Sequence, residues 1–141
     1  MKIVVNKSSR KPFRLSKEGL RFFLSRKGIT PHFYVRSYGK EIVYKCMENE
    51  FNRMTEVLTV DLGKRPIPYL YREAINKGQV FKEESIMRDD PDLVYTVEYL
   101  GRKAADVGVS LHIIEIPDDV DWMIVESDNG EYVAEKHRVW H

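Results

Sequence analysis

The apolar positions open as a run. "KIVVN", residues 2–6, is β-rich and continuous rather than alternating, which predicts a short buried strand. After a polar interval the period changes. Leu20, Phe23 and Leu24, with Phe13, form the sheet-facing side of a helix, while Lys17, Arg21, Arg26 and Lys27 face outward. Its ends are marked as well. Ser16 is the N-cap, Leu15 and Leu20 hold the staple positions, and Gly28 stops the helix as the residue after its C-cap.

"HFYVRSYGKEIVYKCM" alternates Tyr, Val and Ile and predicts a hairpin turning near Tyr38-Gly39, and "EVLTVDL" predicts a third strand. In the proline-bearing middle, "PYLYREAINKG" predicts a short helix ending at Gly78, the rest being loop. "RDDPDLVYTVEYLGRKAADVG" carries a stronger signal. Asp90 caps, Pro91 takes the first helical position, and Asp92 suits the positive end of the helix dipole. Leu93, Val97, Leu100, Ala104 and Val107 then follow at spacings of four, three, four and three, one apolar face. "SLHIIEI" predicts a strand and "PDDVDW" a turn. "WMIVES" and "EYVAEKHRVW" predict a hairpin around Asp128-Asn129-Gly130. The order implies an α+β fold, two main helices against a mixed or antiparallel sheet, in a single domain spanning residues 1–141.

Composition agrees with a globular chain: 141 residues, 43% hydrophobic and 32% charged. No apolar run approaches the roughly 20 residues of a membrane helix, so no membrane partner is expected. Lys7, Arg10, Lys11 and Arg14 interrupt any signal-peptide core. Cys46 is the one cysteine, which rules out an internal disulfide and points to a reducing compartment.

Charge changes the picture. Residues 1–45 hold twelve Lys/Arg against Glu18 and Glu41, a net +10, and residues 46–141 hold eleven against twenty Asp/Glu, a net −9. Such asymmetry implies a polyanionic partner or self-association between opposite faces, the plainer alternative being neutralisation within one fold. The positive charge concentrates in "NKSSRKPFRLSKEG", between the first strand and first helix. A helix N-terminus favours anions, and Ser8 and Ser9 add hydroxyls to the cations Lys7, Arg10, Lys11 and Arg14. Phosphate is the natural ligand of that set. The glycines of a P-loop are absent, and a solvated loop is the alternative reading.

The tail "EKHRVWH" is a second candidate. Strand alternation puts Lys136, Arg138 and Trp140 on one face, apart from His137 and Val139. Arg beside an aromatic side chain is equipment for a nucleobase and its phosphate. The alternative is a charge-guarded edge strand with Trp140 as a lid on the core. The remaining motifs say less. Asp118, Asp119 and Asp121 match no EF-hand spacing and read as a turn, and His32, His112, His137 and His141 stand singly. No nucleophile elbow or His-x-His pair is present, so no enzyme, metal or cofactor is expected.

Both ends of the chain resemble a family of small phage-encoded proteins. The resemblance lies in "MKIVVNK" followed by "FRLSKEGLRFFLSRKGI", in "RDDPDLVYTVEYLGRKA", and in "IIEIPDDVDWMIVESDNGEYVAEKHRVW"; residues 29–86 carry none of it. Many relatives have a Cys- and Gly-rich loop after the first strand, where this chain has "NKSSRKPFRLS", as if side-chain cations replaced backbone contacts. The chain is also similar to phage nucleotide sponges, which blunt bacterial CBASS defence by sequestering cyclic dinucleotides. That resemblance implies a protein of the host cytoplasm that captures a cyclic GMP–AMP type signal without cleaving it; the enclosure that nanomolar capture needs, together with the charge asymmetry, implies a homo-oligomer. Lys7, Ser8, Ser9, Arg10 and Arg14 would hold phosphates, Asn6 would read a base edge, and Lys136, Arg138 and Trp140 would engage a base. The other class open to the chain is a nucleic-acid- or host-protein-binding accessory protein using the basic N-terminal face.

Overall fold

The computed structural model describes residues 1–36, 43–46, 50–52 and 55–136. The fold is α+β, as the sequence implies. In chain order it runs β1 (Lys2–Asn6), α1 (Lys17–Arg26), β2 (His32–Arg36), β3 (Val43–Lys45), β4 (Glu56–Leu58), α2 (Pro68–Asn76), β5 (Val80–Phe81), α3 (Pro91–Leu100), β6 (Leu111–Glu115), β7 (Trp122–Ser127) and β8 (Gly130–Glu135). Among the described residues all strand pairing is antiparallel, in ladders β1-β6, β3-β2-β4-β5 and β7-β8 rather than one sheet. The contacts group the chain into two compact units, residues 1–23 with 84–141, and residues 24–83.

In the first unit, Ile3, Val4, Val5 and Asn6 are all buried, which is why that stretch reads as continuous rather than alternating. α3 packs on β1 and β6. Asp90 caps α3 by accepting the Asp92 N–H at 2.8 Å, and Pro91 starts the helix. The apolar face runs as expected through Leu93, Val97 and Ala104, then fails at Val107, which is 92% exposed. The helix has already ended. Gly101 turns with φ +58°, and residues Gly101–Ala104 tighten into a 3-10 turn, so helical spacing no longer governs Val107.

The start of α1 follows the sequence signals. Ser16 Oγ accepts the Gly19 N–H at 2.9 Å, and Leu15 and Leu20 are fully buried. The helix closes with Gly28 at φ +74°, its N–H on Ser25 O and the Ile29 N–H on Leu24 O. Those two bonds are the Schellman arrangement that a left-handed residue permits.

The second unit is built on Tyr34, Val43, Leu58, Tyr71 and Ala74, with Val60, Leu62 and Val80 against them. β2 and β3 pair as expected; the expected turn at Tyr38-Gly39 lies outside the described residues. The short helix expected in the middle forms as α2, nine residues closed by Gly78, beside the two main helices. One expectation needs correction. The segment after α2 is not all loop, because Val80 and Phe81 pair with Leu58 and Val57 as β5. A two-residue strand is too short to show a period, and only its partner reveals it.

Candidate functional site

The loop between β1 and α1 is tightly organised. The Asn6 side-chain carbonyl receives the Ser8 N–H at 3.0 Å and the Ser8 hydroxyl, and the Asn6 amide nitrogen donates to Lys11 O at 2.7 Å. This is an Asx turn closed by a second bond. To bring Lys11 O back over Asn6, Arg10 adopts φ +62°, the one positive φ outside glycine among the described residues. A left-handed residue with a Cβ costs about 1–2 kcal/mol, so the loop holds Arg10 in place at some expense. The Ser9 hydroxyl donates to Asp128 O at 3.0 Å, tying the loop to the β7-β8 turn.

That turn is the other wall. Asp128 and Asn129 lie between the paired residues Ser127 and Gly130, and Gly130 takes φ +99°. A Cβ on Gly130 would stand 2.7 Å from the Lys7 carbonyl carbon, so only glycine lets the hairpin approach the loop this closely. Between the two walls lies an open cleft of about 690 Å³, lined by Asn6, residues 8–13, Arg88, residues 126–128, Gly130 and Glu131. Its volume falls within the roughly 300–1,000 Å³ of small-ligand sites.

Arg88 and Glu131 form its floor. The guanidinium donates to both carboxylate oxygens at 2.6 and 3.0 Å and lies 4.0 Å above the centre of the Phe13 ring. Glu131 Oε1 also accepts the Asn6 N–H at 2.7 Å. Burial pushes the Glu131 carboxyl up, but the hydrogen bonds from Arg88 and from Asn6 N–H outweigh it and hold the carboxyl below its ordinary range.

The expected site residues divide. Asn6, Ser8, Ser9 and Arg10 line the cleft. Asn6 is buried, with its side-chain amide hydrogen-bonded inside the loop. Lys7 is exposed and outside the lining. Arg14 also lies outside it, with Nε 3.3 Å from Asp106 Oδ2. Lys136 sits 3.8 Å from Asp121 at an exposed position, and Arg138 and Trp140 lie outside the described residues.

The start of α1 does not join the cleft either. Ser16 Oγ donates to Lys103 O and Ser16 N–H to Ala104 O, and a Cβ on Gly19 would stand 2.4 Å from that same Ala104 oxygen. The first turn of α1 is thus packed on the 3-10 turn and does not open into the cleft between the loop and the hairpin.

The sequence reading passed over Arg88, Glu126, Asp128 and Glu131. A signal was present. Residues 115–135 contain eight Asp/Glu and no Lys or Arg. Placing the turn at Asp128-Asn129-Gly130 puts Glu126 directly opposite Glu131, a like-charge cross-strand pair that needs a cation nearby.

A polar cluster also occurs in the second unit. The Tyr34 hydroxyl receives the Leu62 N–H at 2.8 Å, and Asp61 accepts the Gly63 N–H at 2.9 Å and Lys45 Nζ at 3.1 Å. These bonds pin the turn after β4, and every group in them is accounted for by that task.

Compared with known proteins, the chain matches no family model, no curated protein and no solved structure.

Proposed function

We propose that this protein binds a small phosphate-bearing nucleotide of the cyclic dinucleotide class and holds it without cleaving it. The observation that carries the reading is the loop. Asn6 and a left-handed Arg10 fix the backbone beforehand, and Arg10 and Lys11 stand exposed at the rim of a nucleotide-sized cleft. A preorganised loop loses little freedom on binding, so its charge-assisted hydrogen bonds, about 1.5–3 kcal/mol each, are retained as affinity. The resemblance of both chain ends to phage proteins supports a role in blunting a nucleotide-signalled bacterial defence from within the host cytoplasm. Because the cleft is open, a second copy of the chain would complete the enclosure that nanomolar capture needs, about 12 kcal/mol net. No described helix is long and apolar enough to cross a membrane.

The test is retention. The protein is incubated with cyclic di- and trinucleotides, separated from free ligand, heated, and the released compound identified. Intact recovery is expected. Altered recovery would make the protein an enzyme, and no retention would end the nucleotide reading.

A second reading has its own observation: Arg21, Arg26 and Lys27 are exposed along α1 and none lines the cleft. An extended phosphate backbone laid on that face would give a binding constant falling steeply with salt, with a slope of about −0.9 per neutralised phosphate. It would also be indifferent to base identity.

A further inference from the structure

The two walls of the cleft carry opposite charges that they do not use on each other. Arg10 and Lys11 stand on the loop wall, Glu126 and Asp128 on the hairpin wall, and no ion pair joins these four among the described residues. Glu126 is the more telling of the two acids. It pairs across the ladder with Glu131 and therefore shares its face, the face that Arg88 and the Asn6 N–H meet. Glu131 is neutralised there. Among the described residues Glu126, one strand away and exposed, has no counterpart of that kind, so a carboxylate faces the cleft with its acceptor capacity unspent.

A simple anion would gain from Arg10 and Lys11 and be repelled by Glu126. The arrangement suits a ligand that is anionic at one end and presents hydrogen-bond donors at the other. Resting on the reading that a nucleotide occupies the cleft, we infer that the cleft selects guanine: Glu126 accepts the guanine N1–H and N2–H while Arg10 and Lys11 hold the phosphate from the opposite wall. A carboxylate offers two parallel acceptors and no donor. Guanine alone among the common bases sets two adjacent donors on its Watson–Crick edge. Adenine sets a donor beside an acceptor there, which would leave one carboxylate oxygen facing a lone pair.

The experiment compares the cyclic dinucleotide of two guanosines with that of two adenosines, by calorimetry at one salt concentration. Wild-type protein should bind the guanosine compound about tenfold to 100-fold more tightly, the discrimination of a good bidentate base contact. Glu126→Gln should erase most of that preference, weakening the guanosine compound and strengthening the adenosine one, since the amide sets a donor beside an acceptor and no longer repels the phosphates. Asp128→Asn should keep the preference. Equal binding of the two compounds by wild type would overturn the guanine inference while the nucleotide reading stands. Binding of neither would overturn both. A preference that survives Glu126→Gln and is lost in Asp128→Asn would overturn the assignment to Glu126.

Discussion

Arg88 meets Glu131 on the edge of β1 that β6 leaves open. Arg88 O accepts the Val4 N–H at 2.8 Å, Arg88 Nη1 donates to Val4 O at 3.2 Å, and Glu131 accepts the Asn6 N–H at 2.7 Å. An exposed strand edge is a row of unpaired backbone groups, and here an ion pair from two distant segments closes it. The same pair supports the cleft, so edge protection and site geometry share one contact.

Breaking this pair should cost more than losing a surface salt bridge. Arg88→Met leaves Glu131 with a carboxylate only 10% exposed, and about 3 kcal/mol of unfolding free energy should be lost, the low end for a buried pair. The double variant Arg88→Met with Glu131→Leu should lose clearly less than the sum of the two single changes. Urea denaturation of the four proteins measures the coupling. Single losses below about 1 kcal/mol would show the pair behaving as a surface bridge.

The pair also makes stability depend on acid. Because the folded Glu131 carboxyl is held below its ordinary value of 4.5, its contribution is fully present above that pH. It is lost as pH falls through the lower, folded value. Glu131→Gln should therefore show a shallower fall in stability below pH 4.5 than wild type, checked by thermal melts across the acid range. Parallel curves would remove Glu131 from the acid response.

Asp61 should titrate unusually low, at about 2 against an ordinary 3.8, chiefly because the Gly63 N–H bonds its carboxylate, with Lys45 adding to it. Carbon-detected NMR of the side-chain carboxyl measures this directly. A midpoint near 3.8 would mean the turn after β4 is not held as described.

Gly19 offers a reversal of sign. Replacing a glycine inside a helix by alanine usually stabilises by about 1 kcal/mol. Here the new Cβ would lie 2.4 Å from Ala104 O, the oxygen that also accepts the Ser16 N–H. Gly19→Ala should lower the melting temperature; a rise would show that the 3-10 turn yields easily.

The loop separates binding from stability. Arg10→Gly suits a position at φ +62° and should leave unfolding free energy within about 1 kcal/mol while weakening nucleotide binding roughly tenfold or more. Arg14→Ala should do the opposite, losing the contact with Asp106 and leaving binding nearly unchanged. Equal effects of the two on binding would restore a diffuse basic surface in place of a cleft.

What the sequence determined by itself is local. A buried run such as "KIVVN", the caps Ser16 and Asp90, the stops at Gly28 and Gly78, and the turn at Asp128-Asn129-Gly130 are settled within a few residues by backbone conformation and nearby hydrogen bonds. The basic loop was legible for the same reason, and Asn6, Ser8, Ser9 and Arg10 within it line the cleft. Tertiary structure decided what that loop faces. Arg88 lies 43 residues from Glu131, and Asn6 lies 125 from it, separations over which no periodicity carries information. Only the folded chain could turn Arg14 toward Asp106, pack the start of α1 against Ala104, and set Glu126 and Asp128 across the cleft from Arg10. Charges are placed by what else is near them in space, and a one-dimensional pattern does not contain that distance.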